Sequence, residues 1–183
     1  IAFFPDGRLL VCTKKGKVYV IMNGNMLSTP FIDLASEVLS NEANGLLDVA
    51  VDPDYPNSPW VYLLYVVDPT GGLDDDVSAF SRLTRYKVSS SNPNLADLSS
   101  RQILIGQNWG SGWPACSGQH VIGTLRFAKD GTLLVGSGET SEWPGVDAGG
   151  RDPDCASNYP ADHDIGAYRA QHLGSLSGKI IRI

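Results

Sequence analysis

Charge is scarce in this chain of 183 residues: Asp, Glu, Lys and Arg together make 19%, below the usual quarter of a soluble domain. Positive charge is scarcest. Fourteen Lys and Arg face twenty Asp and Glu, a net charge of −6. With no basic stripe to neutralise phosphates, nucleic acid is a poor partner. No apolar run comes near the ~20 residues of a membrane helix; the longest, Trp60 to Val67, has eight. Only three cysteines and three histidines occur. No two cysteines are spaced as Cys-x-x-Cys, which removes the commonest structural zinc frame.

Turn formers are plentiful instead. Twenty Gly and eleven Pro accompany 42% hydrophobic residues, a balance that suits many short strands and not a helical bundle. Strands are expected over 8–13 and 17–22, flanking the Lys14-Lys15-Gly16 turn, and over 46–51 and 60–67. Others are expected over 80–88, 101–105, 124–127, 132–136 and 179–183. Only 31–39 and 167–176 could be helical, and both are short. The frame Phe-x-x-Asp-Gly-x-Leu-Leu-Val occurs at Phe3 to Val11 and again at Phe127 to Val135, with a looser copy at Val51-Asp52-Pro53-Asp54. Recurrent hairpins of this kind predict an all-β fold built from β-propeller blades; a sandwich would show similar hairpins. The chain starts at Ile1 without Met and closes on a strand-like Lys179 to Ile183. It is therefore expected to be about three blades of a longer protein that continues beyond Ile183.

Chemistry concentrates in two long loops, 107–118 and 139–164. Cys12 lies in an apolar strand and reads as a packed thiol, whereas Cys116 and Cys155 sit one in each loop. They are expected to pair in an exported protein; two reduced loop thiols are the alternative. Asp147, Asp152 and Asp154, with Asp162 and Asp164 behind them, offer oxygen ligands suited to Ca²⁺ or are solvated acidic turns. Asp74-Asp75-Asp76 is a second such cluster. His163 reads as a solvated loop residue and His172 as a polar residue near a short helix. His120 leads directly into a strand, where a propeller would open it onto the channel mouth as a general base near neutral pH.

Several segments resemble the soluble quinoprotein glucose/sorbosone dehydrogenases, six-bladed propellers. Gly45-Leu46-Leu47-Asp48-Val49-Ala50-Val51-Asp52-Pro53-Asp54-Tyr55 is similar to that family's Gly-Leu-Leu-Gly-x-Ala-x-x-Pro-Asp-Phe. His120-Val121-Ile122-Gly123-Thr124-Leu125-Arg126-Phe127 resembles its His-x-Gly-Gly-x-Leu-x-Phe, and Asp130 to Glu139 its Asp-Gly-x-Leu-Tyr-Val-x-x-Gly-Asp. Ala170 to Ile183 resembles the Ala-Gln-x-Leu-x-Ser-Leu-x-Gly-Lys-Ile-Leu-Arg-Ile stretch that follows in the same order. The resemblance implies oxidation of an aldose at its anomeric carbon, with pyrroloquinoline quinone (PQQ) as hydride acceptor and Ca²⁺ polarising the quinone. It places the base on His120 and sugar contacts on Gln119 and on or beside Glu42, where strict counting gives Ala43. The family's cofactor arginines and calcium ligands fall beyond Ile183. Two departures stand out: Glu139 replaces the usual Asp, and Ile122 replaces a small residue and is expected to crowd the cofactor face. Relatives similar to hedgehog-interacting protein keep the propeller and bind partners without this chemistry. A non-catalytic extracellular propeller is thus the rival reading.

Overall fold

The computed structural model describes residues 1–71, 77–142, 145–150 and 153–183, without the side chains of residues 153, 154 and 156. The chain forms three antiparallel sheets in sequence order. In the first, β1 (Ala2–Phe3), β2 (Leu9–Cys12) and β3 (Lys17–Met22) lie side by side, and the outer strand is broken into β4 (Asn25–Met26) and β5 (Ile32–Asp33), both paired with β3. The second repeats the plan. β6 (Leu46–Val51), β7 (Trp60–Val67) and β8 (Ala79–Val88) are followed by an outer strand again in two pieces, β9 (Ala96–Ile105) and β10 (Trp113–Ala115). The third holds β11 (Ile122–Phe127), β12 (Leu133–Ser137) and β13 (Ile180–Arg182). This is a segment of a β-propeller, with the first strand of each blade on the channel side.

The internal echo marks one place in all three blades. The Asp-Gly turns join β1 to β2 and β11 to β12, and the looser copy joins β6 to β7. In each, the Asp carboxylate accepts the backbone N–H two residues on: Asp6 from Arg8 at 3.1 Å, Asp52 from Asp54 at 3.0 Å, Asp130 from Thr132 at 3.1 Å. An Asx turn of this kind fixes the hairpin before any tertiary contact forms.

The eight-residue apolar run is β7, buried on both faces. Val61, Leu63, Tyr65 and Val67 pack with Phe4, Leu10, Val18 and Val20 of the first blade. Tyr62 and Leu64 pack with Leu125, Leu133 and Val135 of the third. Strand alternation thus hands successive side chains to opposite neighbours, and each buried leucine contributes about 1.5–3 kcal/mol. Asp48, on β6, ties the second blade to the third. Its carboxylate accepts the Leu125 N–H at 2.8 Å, Arg126 at 3.1 Å and the Thr124 hydroxyl at 3.3 Å.

One helical expectation needs correction and the other is met in part. Residues 31–39 form β5, a turn and an isolated bridge from Val38 to Val67, because the broken outer strand of the first blade requires extended chain there. Residues 167–176 form only a 3-10 turn, Gly166–Gln171. Among the described residues the α-helix is Pro153–Asn158, α1, inside the long acidic loop. This loop docks on the second blade. Tyr159 donates from its hydroxyl to the carbonyls of Ala79 (3.1 Å) and Trp113 (3.3 Å) on the second. Beyond the loop, the buried Arg169 donates to the carbonyls of Glu139 and Thr140, both at 3.2 Å, where the chain leaves β12. No described helix is long and apolar enough to cross a membrane.

Candidate functional site

Three loops meet at one end of the inner strands: 41–45 before β6, 116–121 before β11, and 138–141 after β12. Backbone bonds lace them together, with Ala43 N–H donating to Gly118 at 2.8 Å and Thr140 N–H to His120 at 3.0 Å. The fit leaves no room for side chains at two glycines. A Cβ at Gly118 would stand 2.6 Å from the Glu42 carboxylate, and one at Gly138 would stand 2.0 Å from the His120 carbonyl oxygen. Outside glycine, left-handed backbone occurs among the described residues at Asn23, Glu42, His120 and Thr140. Three of these four lie in the converging loops. Such strain collects where function, not stability, sets the geometry.

His120 is the centre of the cluster. Its Nδ1 lies 2.8 Å from Glu139 Oε1 and 3.2 Å from Ser141 Oγ, while Ser141 donates to the same carboxylate oxygen at 2.6 Å. Burial pushes the Glu139 carboxyl up, yet hydrogen bonds from Ser141 and its own backbone, with the nearby imidazole, hold it below the usual carboxylate range. Glu139 is therefore ionised at neutral pH and favours the tautomer with the proton on Nδ1. The ring is about half exposed (51%), and no described residue engages its Nε2. An imidazole held from behind by a carboxylate, with its other nitrogen free, is the arrangement of a general base.

The structure brings Glu42 and Gln119 to this cluster. Glu42 is exposed, its carboxylate lying over Gly118, and Gln119 is half-buried beside His120. Ile122 is a correction. It is 3% exposed and packs with Trp113, Leu125 and Val135 between blades, so it does not crowd the open face. Gly123 beside it is exposed and has no heavy atom within 4 Å of a built Cβ.

Ser141 is a member that sequence reasoning missed, as is the pairing of His120 with Glu139. The only signal was hairpin register. Counting outward from the Asp130-Gly131 turn, where Phe127 pairs with Leu133, sets His120 opposite Thr140. The register shifts by one between Ile122 and Thr124, and beyond the strand ends the side chains of His120 and Glu139 meet at 2.8 Å. Bulges are common beside functional sites.

Cys116 and Cys155 are joined, with Cα atoms 5.2 Å apart. The bond fastens the start of the His120 loop to α1. Cys12 is free and half-buried, and burial pushes its thiol up, consistent with a packed role. Of the Ca²⁺ candidates Asp147, Asp152 and Asp154, Asp147 is the one whose side chain is described. Asp147 is buried, and its two carboxylate oxygens accept the N–H groups of Glu142 (3.1 Å) and Gly149 (2.9 Å). Asp152, the side chain of Asp154 and the Asp74-Asp75-Asp76 cluster lie outside the described residues. A cleft of about 630 Å³ at the opposite end, lined by Asp6, Arg8, Tyr55 and Asn94, contains none of the candidate residues. Arg8 there is spent on Asp6, Asn94 and Tyr55.

Three blades in sequence order, with a carboxylate-bound histidine at the loop end of the inner strands, make this chain a β-propeller segment. The glucose/sorbosone dehydrogenase family model matches residues 1–183, and the chain belongs to that family. Among solved structures it is similar to an oxidoreductase (glucose dehydrogenase) of Thermus thermophilus, with 25% identity and a TM-score of 0.68 over all of this chain and 41% of that one. It is also similar to the PQQ-bound aldose sugar dehydrogenase of Streptomyces coelicolor, at 22% identity and a TM-score of 0.67 over all of this chain and 42% of that one. Among curated proteins, human hedgehog-interacting protein is 24% identical over 133 residues, 70% of this chain and 18% of that protein. The chain thus spans about two fifths of the solved relatives and less of the curated one.

Proposed function

We propose that the complete protein oxidises an aldose at its anomeric carbon, using PQQ as the acceptor. The observation that carries this reading is His120, fixed through Nδ1 by Glu139 and Ser141, with its ring half exposed and Nε2 engaged by no described residue. When bound, the quinone supplies a two-electron, hydride-accepting centre. The residues here fit the other half of that reaction. His120 Nε2 takes the proton of the anomeric hydroxyl as the C1 hydrogen departs with its electron pair, leaving the C=O of a lactone. Glu139 stabilises the imidazolium that forms and keeps the ring aimed. Gln119 and Glu42 flank the base and would hold sugar hydroxyls by hydrogen bonds. Ca²⁺ belongs to the same reading; Asp147, whose oxygens already accept amide protons, is a poor first choice for its ligand. The rest of the propeller would close the channel, covering the exposed Ile1 and Phe3 on one side and Ile180 and Ile183 on the other. The disulfide favours an extracellular or periplasmic location.

The experiment is reconstitution of the full-length protein with PQQ and Ca²⁺, followed by a dye-linked assay across a panel of aldoses. Turnover is expected, with His120→Ala reducing it about a hundredfold or more. A near-normal rate in His120→Ala would remove the base assignment. The similarity to hedgehog-interacting protein supports a second reading, an extracellular propeller that binds a protein partner. Absence of both quinone binding and turnover would favour it.

A further inference from the structure

Away from the His120 cluster, the acidic loop brings together a second set of groups that the dehydrogenase reading does not use. Asp162 and His163 end one 3-10 turn (Ala161–His163), and His172 caps the next (Gly166–Gln171). One ligand-type atom from each of the three lies within 4.8 Å of the other two. His172 Nε2 stands 3.1 Å from Asp162 Oδ2, and the imidazole centroids are 5.3 Å apart at 68°.

Two features set this group apart from an ordinary polar cluster. The Nδ1 atoms of both His163 and His172 are buried without any hydrogen-bond partner. A buried polar atom left unmatched is costly, and here two occur on neighbouring rings. Both rings are also supported from behind. Tyr159 stacks on His163 at 6.3 Å and 20°, and a Cβ at Gly174 would meet His172 Cε1 at 2.9 Å. The imidazoles are thus packed in place by groups that give them no bond, and Asp162 adds a charge at the exposed edge.

We propose that Asp162, His163 and His172 form a site for a borderline divalent cation of the zinc type, bound by two imidazole nitrogens and one carboxylate oxygen. Imidazole-rich sets suit zinc and its neighbours, whereas calcium requires oxygen throughout. Bond lengths near 2.0–2.1 Å would set the donors about 3.4 Å apart, so the cluster closes by roughly an ångström through side-chain rotation. Three protein ligands leave a fourth position for water on the solvent side, where Asp162 is 63% exposed. The loop reaches the catalytic candidate through Arg169, which donates to the His163 carbonyl at 2.6 Å and to the carbonyls of Glu139 and Thr140. The cation would therefore brace the backbone that carries Glu139.

The test uses full-length protein stripped with a chelator and dialysed, then titrated with Zn²⁺ by calorimetry and with Co²⁺ by visible absorption. One tight equivalent is expected, with d–d bands of a four-coordinate cobalt site and a raised melting temperature. His163→Gln and His172→Gln should each weaken it at least tenfold, while Ca²⁺ should not compete. Circular dichroism verifies that the variants fold, and the cobalt spectrum of the unaltered protein reads the site independently of them. Zn²⁺ binding that survives in both variants, or no equivalent bound by the unaltered protein at micromolar Zn²⁺, would overturn the proposal. Sugar oxidation plays no part in these readouts, so failure of the dehydrogenase reading leaves them intact.

Discussion

Removal of the Cys116–Cys155 bond offers a quantitative test of how the long loop is held. The half-cystines are 39 residues apart in sequence, and the segment between them contains β11, β12 and the whole His120–Glu139 pair. In the chain-entropy model, closing a loop of that length removes about 13 cal/mol/K from the unfolded state, or about 4 kcal/mol at 25 °C. Both half-cystines are buried, at 6% and 0%, so alanine at each position leaves only a small void. The measurement is guanidinium unfolding of the full-length protein beside the Cys116→Ala/Cys155→Ala double variant. With a slope of about 4 kcal/mol/M, the midpoint should fall by about 1 M. Either single variant should lose nearly as much, because the cross-link vanishes whichever partner is removed. Reduced unaltered protein should match the double variant, since the free Cys12 has no part in the bond. A midpoint shift below about 0.2 M would refute the reasoning. It would mean that Tyr159 and Arg169 already hold the loop, or that the unfolded chain keeps 116 near 155 without the bond.

Asp48→Ala should cost about 2–3 kcal/mol, since it strands the Leu125 N–H and removes the carboxylate that also receives Arg126 and Thr124; thermal unfolding measures it, and a neutral result would deny the tie between blades. Glu37 receives Arg82, Arg101 and Tyr65; burial pushes its carboxyl up, but these partners outweigh burial and hold it below the ordinary 4.5. Its contribution is complete above that value and is lost as pH falls through the lowered one. The stability gap between unaltered protein and Glu37→Gln should therefore narrow below about pH 4.5, and a constant gap would show that charge is not what Glu37 contributes. Residues 1–183 expressed alone should self-associate and show no quinone-dependent turnover, because the apolar residues at both flanks lack cover; a stable, active monomer by light scattering and assay would contradict this.

Much of the architecture was legible because the hairpins are local. The strands at 46–51 and 60–67 were read residue for residue, since turn chemistry and an apolar run bracket both. The five residues by which β9 extends ahead of 101, Ala96 to Ser100, were not, for polar residues there are held by pairing with β8 and not by burial. The split outer strands were invisible for a similar reason. Two-residue strands such as β4 and β5 carry no periodicity, and only their position against β3 makes them strands. At the site, His120 was legible from its place before a strand and from family likeness. Its partner was not, because His120 and Glu139 lie beyond the ends of β11 and β12, beside left-handed backbone at His120 and Thr140 that no sequence pattern marks. The second histidine cluster could not be read at all: His163 and His172 are nine residues apart, and non-repetitive turns bring them together.

The left-handed backbone at Glu42, His120 and Thr140 bears on how this protein can be improved. A non-glycine residue held there costs about 1–3 kcal/mol, of which glycine would return the part that exceeds its own entropy loss. A directed-evolution campaign that rewards only heat resistance would therefore converge on these three positions and dismantle the loops that surround the histidine. Gains in melting temperature and losses in turnover would arrive together. An engineer who wants a hardier protein should freeze these loops and spend substitutions on the blade exteriors, where backbone and side chain already agree.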